Sequence, residues 1–407
     1  MDGYPAGCCV TIFGMGAVII DAARTPFGKY RGGLSNVRVD DLATLPVTEL
    51  LNRHEAKLDP AVIDDVIYGN TNGAGEENRN IGRMVALLAG LPTSVPGVTV
   101  NRLCASGGEA MVQAGRAVAT GDADLLIAGG VEGMTRAPFV LPRAERAFQD
   151  KIEAVSTALG WRLVNPKMPK NWTIPLGLAA EQVAVELGVD RAAMDDWALR
   201  SHHRAAAAWA AGVHKGFAFD VTTRDGVLRQ DESVRADTTA EKLATLKSAF
   251  SADGPVTAGN SSPLNDGAFA SLIGSREAAA RLGVEPLGEI LGSAVSAVDP
   301  DRFTIAPVSA IGKLLDRLSL RAQDIALWEI NEAFAAMVLS VLHHLPSVDH
   351  ERVNVHGGAL AYGHPLGASM PRVIVDVARH LRARGGGVGI AAACIGVGQG
   401  MAVAVRV

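Results

Sequence analysis

The 407-residue chain has no Cys-x-x-Cys pair, no block of basic residues and no apolar run of roughly 18 residues. Each absence removes a class of protein. Four cysteines are too few for a disulfide framework in a chain of this length, and without Cys-x-x-Cys spacing no cysteine-based zinc site is expected. The adjacent pairs His202–His203 and His343–His344 would point about 100° apart on a helix, which makes each a poor chelate, so no metal is expected there. Acids and bases are interleaved to a net charge of −5, which argues against nucleic acid as a main partner. Without a long apolar run no transmembrane helix is expected, and no membrane partner. Residues 1–16 lack both a basic n-region and arginine, so they read as an added tail, with Met15 as an alternative start. The C-terminal Val-Arg-Val is not a peroxisomal address, and the cytoplasm is the expected compartment.

What is present is a hydrophobic fraction of 48%, a charged fraction of 20% and 45 glycines, the profile of a compact α/β protein of two to three domains. Short apolar segments at Ala17–Asp21, Val62–Tyr68, Val98–Leu103 and Asp124–Ala128 alternate with helical spacing over Asp40–Asn52 and Gly107–Thr120. That alternation predicts a parallel sheet covered on both faces. From about Pro138 to Gly254 the composition shifts: four of the five tryptophans lie there, strands thin out, and a helix is expected from the N-cap Asp190 to Gly212. The last third returns to α/β, with strands at Ala326–Ile330, Val353–Val355, Val388–Ala393 and Val403–Val407 and helices at Glu332–His343 and Ser369–Ala383. Residues 125–134 (LLIAGGVEGM) faintly echo residues 389–401 (GIAAACIGVGQGM), each an apolar strand running into a glycine-rich turn.

Four positions could carry chemistry. Cys104 falls where a strand ends and a helix begins; open N–H groups at a helix start favour a thiolate, and Ala105-Ser106-Gly107-Gly108 leave room for a substrate. A small buried hydrophobe is the competing reading. His364 sits at a Gly-His-Pro-Leu-Gly turn where an imidazole could take a thiol proton, and His356 in the same loop competes with it on residue type alone. Cys394 precedes IGVGQG (395–400), whose exposed backbone N–H groups could bind an oxyanion, or could simply turn between two closing strands. Asn331 follows an apolar strand and reads either as a helix N-cap or as a holder of water or a carbonyl oxygen. The turn-rich segment 257–270 suits contacts to a pantetheine. All four positions fall at predicted strand ends, where parallel sheets bind ligands.

These residues, in this order, resemble the thiolase family. The matching blocks are VNRLCASG (100–107), DLLIAGGVEGMTRAP (124–138), TAGNSSPLNDG (257–267), NEAFA (331–335), GGALAYGHPLGAS (357–369) and CIGVGQG (394–400). The resemblance implies two similar αβα halves forming a five-layer αβαβα core, plus a helical loop domain. Its expected division is a tail at 1–16, an N-terminal half at 17–137 with 255–285, a CoA-binding loop domain at 138–254, and a C-terminal half at 286–407. It also implies roles: Cys104 as the acylated nucleophile, Cys394 as the acid/base at the α-carbon, and His364 as activator of Cys104 and part of one oxyanion hole. Asn331 would hold that hole's water, the N–H groups of Cys104 and Gly396 would form a second hole, and Ser262 and Phe334 would line the pantetheine channel.

The implied reaction is reversible, CoA-dependent cleavage of a 3-oxoacyl-CoA, with coenzyme A as substrate, no tightly bound cofactor, and a homodimer or homotetramer as the assembly. A thiol nucleophile suits it, because the acyl-enzyme is a thioester close in energy to the CoA thioester. The wording is nearest the degradative β-ketoadipyl-CoA thiolases, at residues 76–92, 159–168 and 199–208. A biosynthetic acetoacetyl-CoA thiolase and a catalytically impaired acyl-CoA-binding relative are the alternatives. Departures from the family wording are Pro175–Glu181 (PLGLAAE), His356 in place of Asn, and Met370-Pro371 after Ser369; a proline is expected there only within a helix's first turn.

Overall fold

The computed structural model of the protein describes residues 16–407, so Cys8, Cys9 and Met15 lie outside the described residues. Strand β1 (Val18–Arg24) is followed by helix α1 (Val39–His54), β2 (Asp65–Gly69), α2 (Ile81–Leu88), β3 (Gly97–Val100), α3 (Ser106–Thr120) and β4 (Leu125–Gly133). Helices α4 (Leu176–Glu186) and α5 (Arg191–Ala210) precede β5 (Asn265–Gly274). The chain then runs through β6 (Gly288–Ala297), α6 (Ala306–Leu318), β7 (Leu327–Ile330), α7 (Ala335–His343), α8 (Leu366–Ala383), β8 (Val388–Ile395) and β9 (Gln399–Arg406).

The strand order is β3-β2-β4-β5-β1 in the first part and β7-β8-β9-β6 in the second, where Val353 bridges the outer edge of β7 at Trp328. One topology is therefore written twice, and β4 and β8, the strands of the faint sequence echo, occupy the same place in each copy. The copies meet edge to edge where β1 pairs antiparallel with β6, at Val18–Glu289 and Ile19–Gly288.

The sheet is mixed, which corrects the parallel sheet expected. Only β3–β2, β2–β4 and β7–β8 run parallel. The reason is connection length: residues 396–398 alone join β8 to β9, enough for a hairpin and far short of a parallel crossover. The strand expected at Val353–Val355 shrinks to its single bridge.

Alternation along the strands builds three cores. In β8, Ile390, Ala392 and Cys394 face the outer core shared with α6 and α7, while Ala391, Ala393 and Ile395 face the middle core. In β4, Leu125 and Ile127 face the outer core shared with α1, while Leu126 and Ala128 face the middle. Both faces of each strand are buried, so the strands read as continuous apolar runs. The middle core holds α3 and α8 between the two sheets, which completes five layers. Gly121 ends α3 in the left-handed conformation at φ 76°, and Asp190 caps α5 by accepting from the Ala193 N–H at 2.8 Å, both as their residue types predict.

Within the segment between β4 and β5, Asp231 makes a fully buried bidentate pair with Arg24 of β1, at 2.7 and 2.8 Å. The same carboxylate accepts from the Phe27 N–H at 2.7 Å and from Trp209 Nε1 at 3.2 Å. All its acceptor sites are engaged, the condition under which a buried charge is tolerated.

Pro371 lies at the sixth position of α8, beyond the first turn where proline was expected. The Gly367 carbonyl, deprived of its helical donor, instead abuts α3: a Cβ on Gly107 would lie 2.3 Å from that oxygen and 2.6 Å from Pro371 Cγ. A Cβ on Gly108 would meet side chains alone: Met370 Cγ at 2.3 Å and Cβ at 3.0 Å, and Ile374 Cδ1 at 3.5 Å. Gly107→Ala should therefore lower stability by about 1–3 kcal/mol through overpacking against backbone. Gly108→Ala should cost less, because Met370 can change rotamer. Urea-unfolding midpoints of the two variants check this, and equal midpoints would contradict it.

Candidate active site

Cys104 lies in a 3-10 turn, Leu103–Ala105, between the end of β3 and the start of α3. Leu103 adopts φ 46°, a left-handed conformation that costs a branched residue about 1–3 kcal/mol. Short hydrogen bonds hold it there. The Leu103 N–H donates to Asn101 Oδ1 at 2.9 Å, and Ser106 Oγ donates to the Leu103 carbonyl at 2.7 Å while accepting from the Arg102 N–H at 3.0 Å. Burial pushes the Cys104 thiol up to about 11, against the pull of the Gly396 backbone N–H that faces its sulfur. The expected stabilised thiolate is thus corrected: removal from water outweighs the helix start, and the resting group is a thiol.

His364 stands just before α8 and is 6% exposed. Gly363 reaches φ 103°, and a Cβ there would lie 2.3 Å from Asn265, whose Oδ1 accepts the His364 N–H at 3.1 Å. The tautomer follows from the neighbours. Ser369 Oγ donates its only proton to the Pro365 carbonyl at 2.8 Å, so at 2.7 Å from His364 Nδ1 it must accept. Nδ1 therefore carries the hydrogen and Nε2 offers a lone pair, 3.5 Å from Asn331 Nδ2. Burial, then the nearby Arg372 charge, holds the imidazole down to about 3, so it rests neutral.

Asn331 caps no helix, since α7 begins at Ala335 with Phe334 in the cap position. Its backbone N–H donates to the Ala392 carbonyl at 2.8 Å, fixing the residue to β8, and its buried Oδ1 has no partner among the described residues. Cys394 closes β8 at 1% exposure, its thiol pushed well above the ordinary range by burial first and by Cys104 second. The segment after it forms the tight turn that was one of its two readings. It joins two closing strands, with Val397 at φ 65° and Gly398 at φ 74°, and it aims the Gly396 N–H at the Cys104 sulfur.

Two cavities meet at Cys104. One, of about 240 Å³, is walled by Cys104, His364, Cys394 and Gly396 together with Ser262 and Phe334. The Ser262 N–H donates to the Ala333 carbonyl at 3.0 Å, and Phe334 packs edge-on against Phe250 and Phe303. The other, of about 320 Å³, runs from Cys104 past Glu132 to Asn72, Thr157 and Arg162. Met134, Leu159, Leu176 and Leu366 border both. His356 is in neither; its ring stands edge-on against His380, 4.4 Å between centroids. Met370 and Pro371 are also absent from both walls and pack against α3 instead.

Two carboxylates were missed at the level of sequence. Glu132 accepts from the Gly367 N–H at 3.0 Å and the Thr71 N–H at 3.2 Å, tying β4 to the start of α8; burial raises it to about 7. Glu332 accepts from Trp197 Nε1 at 3.0 Å, Ser201 Oγ at 2.6 Å and Asn354 Nδ2 at 2.8 Å, locking α5 onto the loop that leads to His364. The available signal was an acid inside a segment otherwise apolar enough to be buried.

A thiol and a neutral imidazole in one buried cavity, beside backbone N–H donors and at two helix starts, define an acyl-transferring enzyme of the α/β class. Family models agree: the thiolase N-terminal domain matches residues 17–277 and the thiolase C-terminal domain residues 284–407. The 3-oxoadipyl-CoA/3-oxo-5,6-dehydrosuberyl-CoA thiolase of Escherichia coli K12 is 46% identical over 377 residues, covering 91% of this chain and 94% of that protein. The 3-ketoacyl-CoA thiolase of Bacillus subtilis is 39% identical over 387 residues, covering 90% and 93%. The crystal structure of human mitochondrial 3-ketoacyl-CoA thiolase in complex with CoA superposes with a TM-score of 0.90 at 34% identity, over 97% of this chain and 99% of that one. The chain belongs to the thiolase family, and its activity is CoA-dependent thiolytic cleavage of 3-oxoacyl-CoA.

The site also sets the response to acid. His202, His214 and His364 are each held by burial well below 6.5, at about 4, 3 and 3, so each gains a proton on unfolding in mildly acidic solution. Their contribution to stability is complete above pH 6.5 and is lost as pH falls towards their folded values. Glu132, raised from 4.5 to about 7, acts oppositely: its contribution is complete below 4.5 and is lost as pH rises through 7. Between pH 6.5 and 4.5 each of these histidines makes stability fall with acid, by about 1.4 kcal/mol per pH unit per proton, while Glu132 and the buried Glu77, Asp266 and Glu329, likewise raised by burial, act oppositely. Denaturant midpoints of the wild type and His364→Asn across that window check the histidine's share: the variant should lose about one proton from the slope, and equal slopes would contradict it.

Proposed function

We propose that Cys104 is the acyl-carrying nucleophile, His364 its proton acceptor and Cys394 the acid/base that serves the leaving and entering groups. The observation that carries this reading is the single cavity whose walls include both thiols and the imidazole. His364 Nε2 takes the Cys104 proton as the sulfur attacks the 3-oxo carbon. The developing oxyanion on the attacked carbon is met by the N–H groups of Cys104 and Gly396. Breaking the C2–C3 bond expels the enolate of acetyl-CoA, whose thioester oxygen is received by the His364 imidazolium and a water held on Asn331 Oδ1 and whose carbon takes the Cys394 proton. Acetyl-CoA leaves, with the acyl group on Cys104, Cys394 as thiolate and His364 as imidazolium. Incoming CoA gives its thiol proton to Cys394, its sulfur attacks the acyl-enzyme, and the displaced Cys104 recovers its proton from His364.

Ser262 and Phe334 are assigned to the pantetheine arm, and residues 138–254 to a loop domain over the site, between halves formed by 17–137 with 255–285 and by 286–407. CoA is a substrate in this reading, with no tightly held cofactor, and the working form is a cytoplasmic homodimer or homotetramer. The physiological substrate is a 3-oxoacyl-CoA with a carboxylate at the far end of its acyl chain, in the degradative direction. The support is the name of the relative matched over 94% of its length, a 3-oxoadipyl-CoA/3-oxo-5,6-dehydrosuberyl-CoA thiolase. CoA-dependent loss of 3-oxoacyl-CoA, followed for the wild type and for Cys104→Ala and Cys394→Ala, tests the assignment. Each variant should lose about 10³-fold or more in kcat. Turnover surviving in Cys104→Ala would overturn the nucleophile, and turnover surviving in Cys394→Ala the acid/base.

A further inference from the structure

Two arms of the substrate leave the reacting carbon, and two cavities leave Cys104. The cavity that holds His364, Cys394, Ser262 and Phe334 takes the CoA arm in the reading above, which leaves the larger one for the acyl chain. Its walls include Met134, Leu159 and Leu366, which it shares with the first cavity, and Asn72, Thr157 and Arg162, which it does not. Arg162 is the one Lys or Arg among its walls, and it is absent from the walls of the other cavity.

The side chains around this arginine form a prepared seat. Asn72 and Thr157 are 5% and 4% exposed, deep for polar residues with no part in a regular element. Asn72 Nδ2 donates to Thr157 Oγ1 at 2.9 Å, and Thr157 Oγ1 in turn donates to the Pro138 carbonyl at 2.6 Å. This chain orients Asn72 Oδ1 towards the guanidinium, which donates to it at 3.3 Å and to the Thr157 carbonyl at 3.3 Å. Both are long for N–H···O bonds, and they use two of five guanidinium hydrogens. Among the described residues no carboxylate lies within 4.0 Å of Arg162, whereas Arg24, Arg102, Arg191, Arg276 and Arg372 each have one. Arg162 is itself exposed, and Glu132 is the one carboxyl among the cavity walls; a planar donor fork held by neutral acceptors, with no carboxylate in ion-pair reach, is an arrangement that receives a carboxylate.

We propose that Arg162, positioned by Asn72 and Thr157, seats the distal carboxylate of a dicarboxylic acyl chain and so sets the acyl specificity of this thiolase. The proposal rests on the reading above that puts the CoA arm along Ser262 and Phe334, because both cavities open at Cys104 and that assignment leaves the other one to the acyl arm. Arg162 touches no reacting atom in it; the residue selects the substrate. A monocarboxylic chain of the same length would leave the guanidinium without its partner, which penalises binding without disturbing the chemistry.

The experiment compares 3-oxoadipyl-CoA with 3-oxohexanoyl-CoA, equal in carbon number and differing only in the terminal carboxylate, on the wild type, Arg162→Gln and Arg162→Lys. Arg162→Gln should lower kcat/KM for 3-oxoadipyl-CoA about ten- to hundredfold, mainly through KM, and leave 3-oxohexanoyl-CoA within about twofold of wild type. Arg162→Lys should fall between, since a point charge replaces a planar fork. Equal losses on both substrates, or no loss on either, would overturn the proposal while leaving the thiolase reading intact. A wild type that cleaves neither substrate would instead overturn the reading on which the proposal stands, and the proposal with it.

Discussion

Between the two sheets, α3 and α8 lie so close that Gly107 has no room for a Cβ: the Gly367 carbonyl would be 2.3 Å away and Pro371 2.6 Å. Cys104 lies two residues before the start of α3 and His364 two residues before the start of α8. The packing of these two helix starts therefore fixes where a thiol and an imidazole drawn from distant parts of the chain can meet. Glu132 reinforces the contact from the adjoining strand by holding the Gly367 N–H, and Asn265 holds the backbone of His364 itself. The doubled topology supplies the rest, since the turn after β8 brings Gly396 and Cys394 to the same cavity from the second copy.

Burial governs how the site behaves once assembled. Burial raises both thiols and lowers the imidazole, so the resting residues are all uncharged, and charge appears only while a substrate is being converted. In a medium of low dielectric, a fixed N–H donor near a developing oxyanion acts more strongly than it would in water, and it needs no reorganisation at that moment. The strained backbone at Leu103 and Val397, both at positive φ, lies on either side of that donor set. Stored strain of this kind is tolerated where the surroundings over-determine it, as the hydrogen bonds around Leu103 do.

Much of this was legible in the residues. Strand-then-glycine patterns located β4 and β8, the Gly-His-Pro turn located His364, and the six ordered blocks carried the family. What failed has physical reasons. The parallel sheet was inferred from alternation alone, which says nothing about a three-residue connection such as 396–398. The thiolate at Cys104 was inferred from its helix start, a local feature, whereas the burial that overrules it is made by segments hundreds of residues away. Asn331 looked like an N-cap because helical spacing follows it; the extended pairing of Ser261 with Phe334 delays the helix to Ala335. Glu132 and Glu332 escaped notice because their partners, Gly367, Trp197 and Ser201, are far off in sequence. Pro371 looked disruptive only because the carbonyl it leaves without a donor could not be seen turning towards Gly107.

The central claim is that the acyl group rests covalently on Cys104 inside a pocket shared with His364 and Cys394. Its most direct test is to incubate the enzyme with acetyl-CoA in the absence of a second acceptor, quench in acid, digest, and map the label by mass spectrometry. The account predicts a hydroxylamine-labile acetyl thioester on the peptide that contains Cys104, removed when free CoA is added before the quench. An acetyl group on Cys394 instead, or a Cys104 peptide that stays unmodified while turnover proceeds, would contradict it.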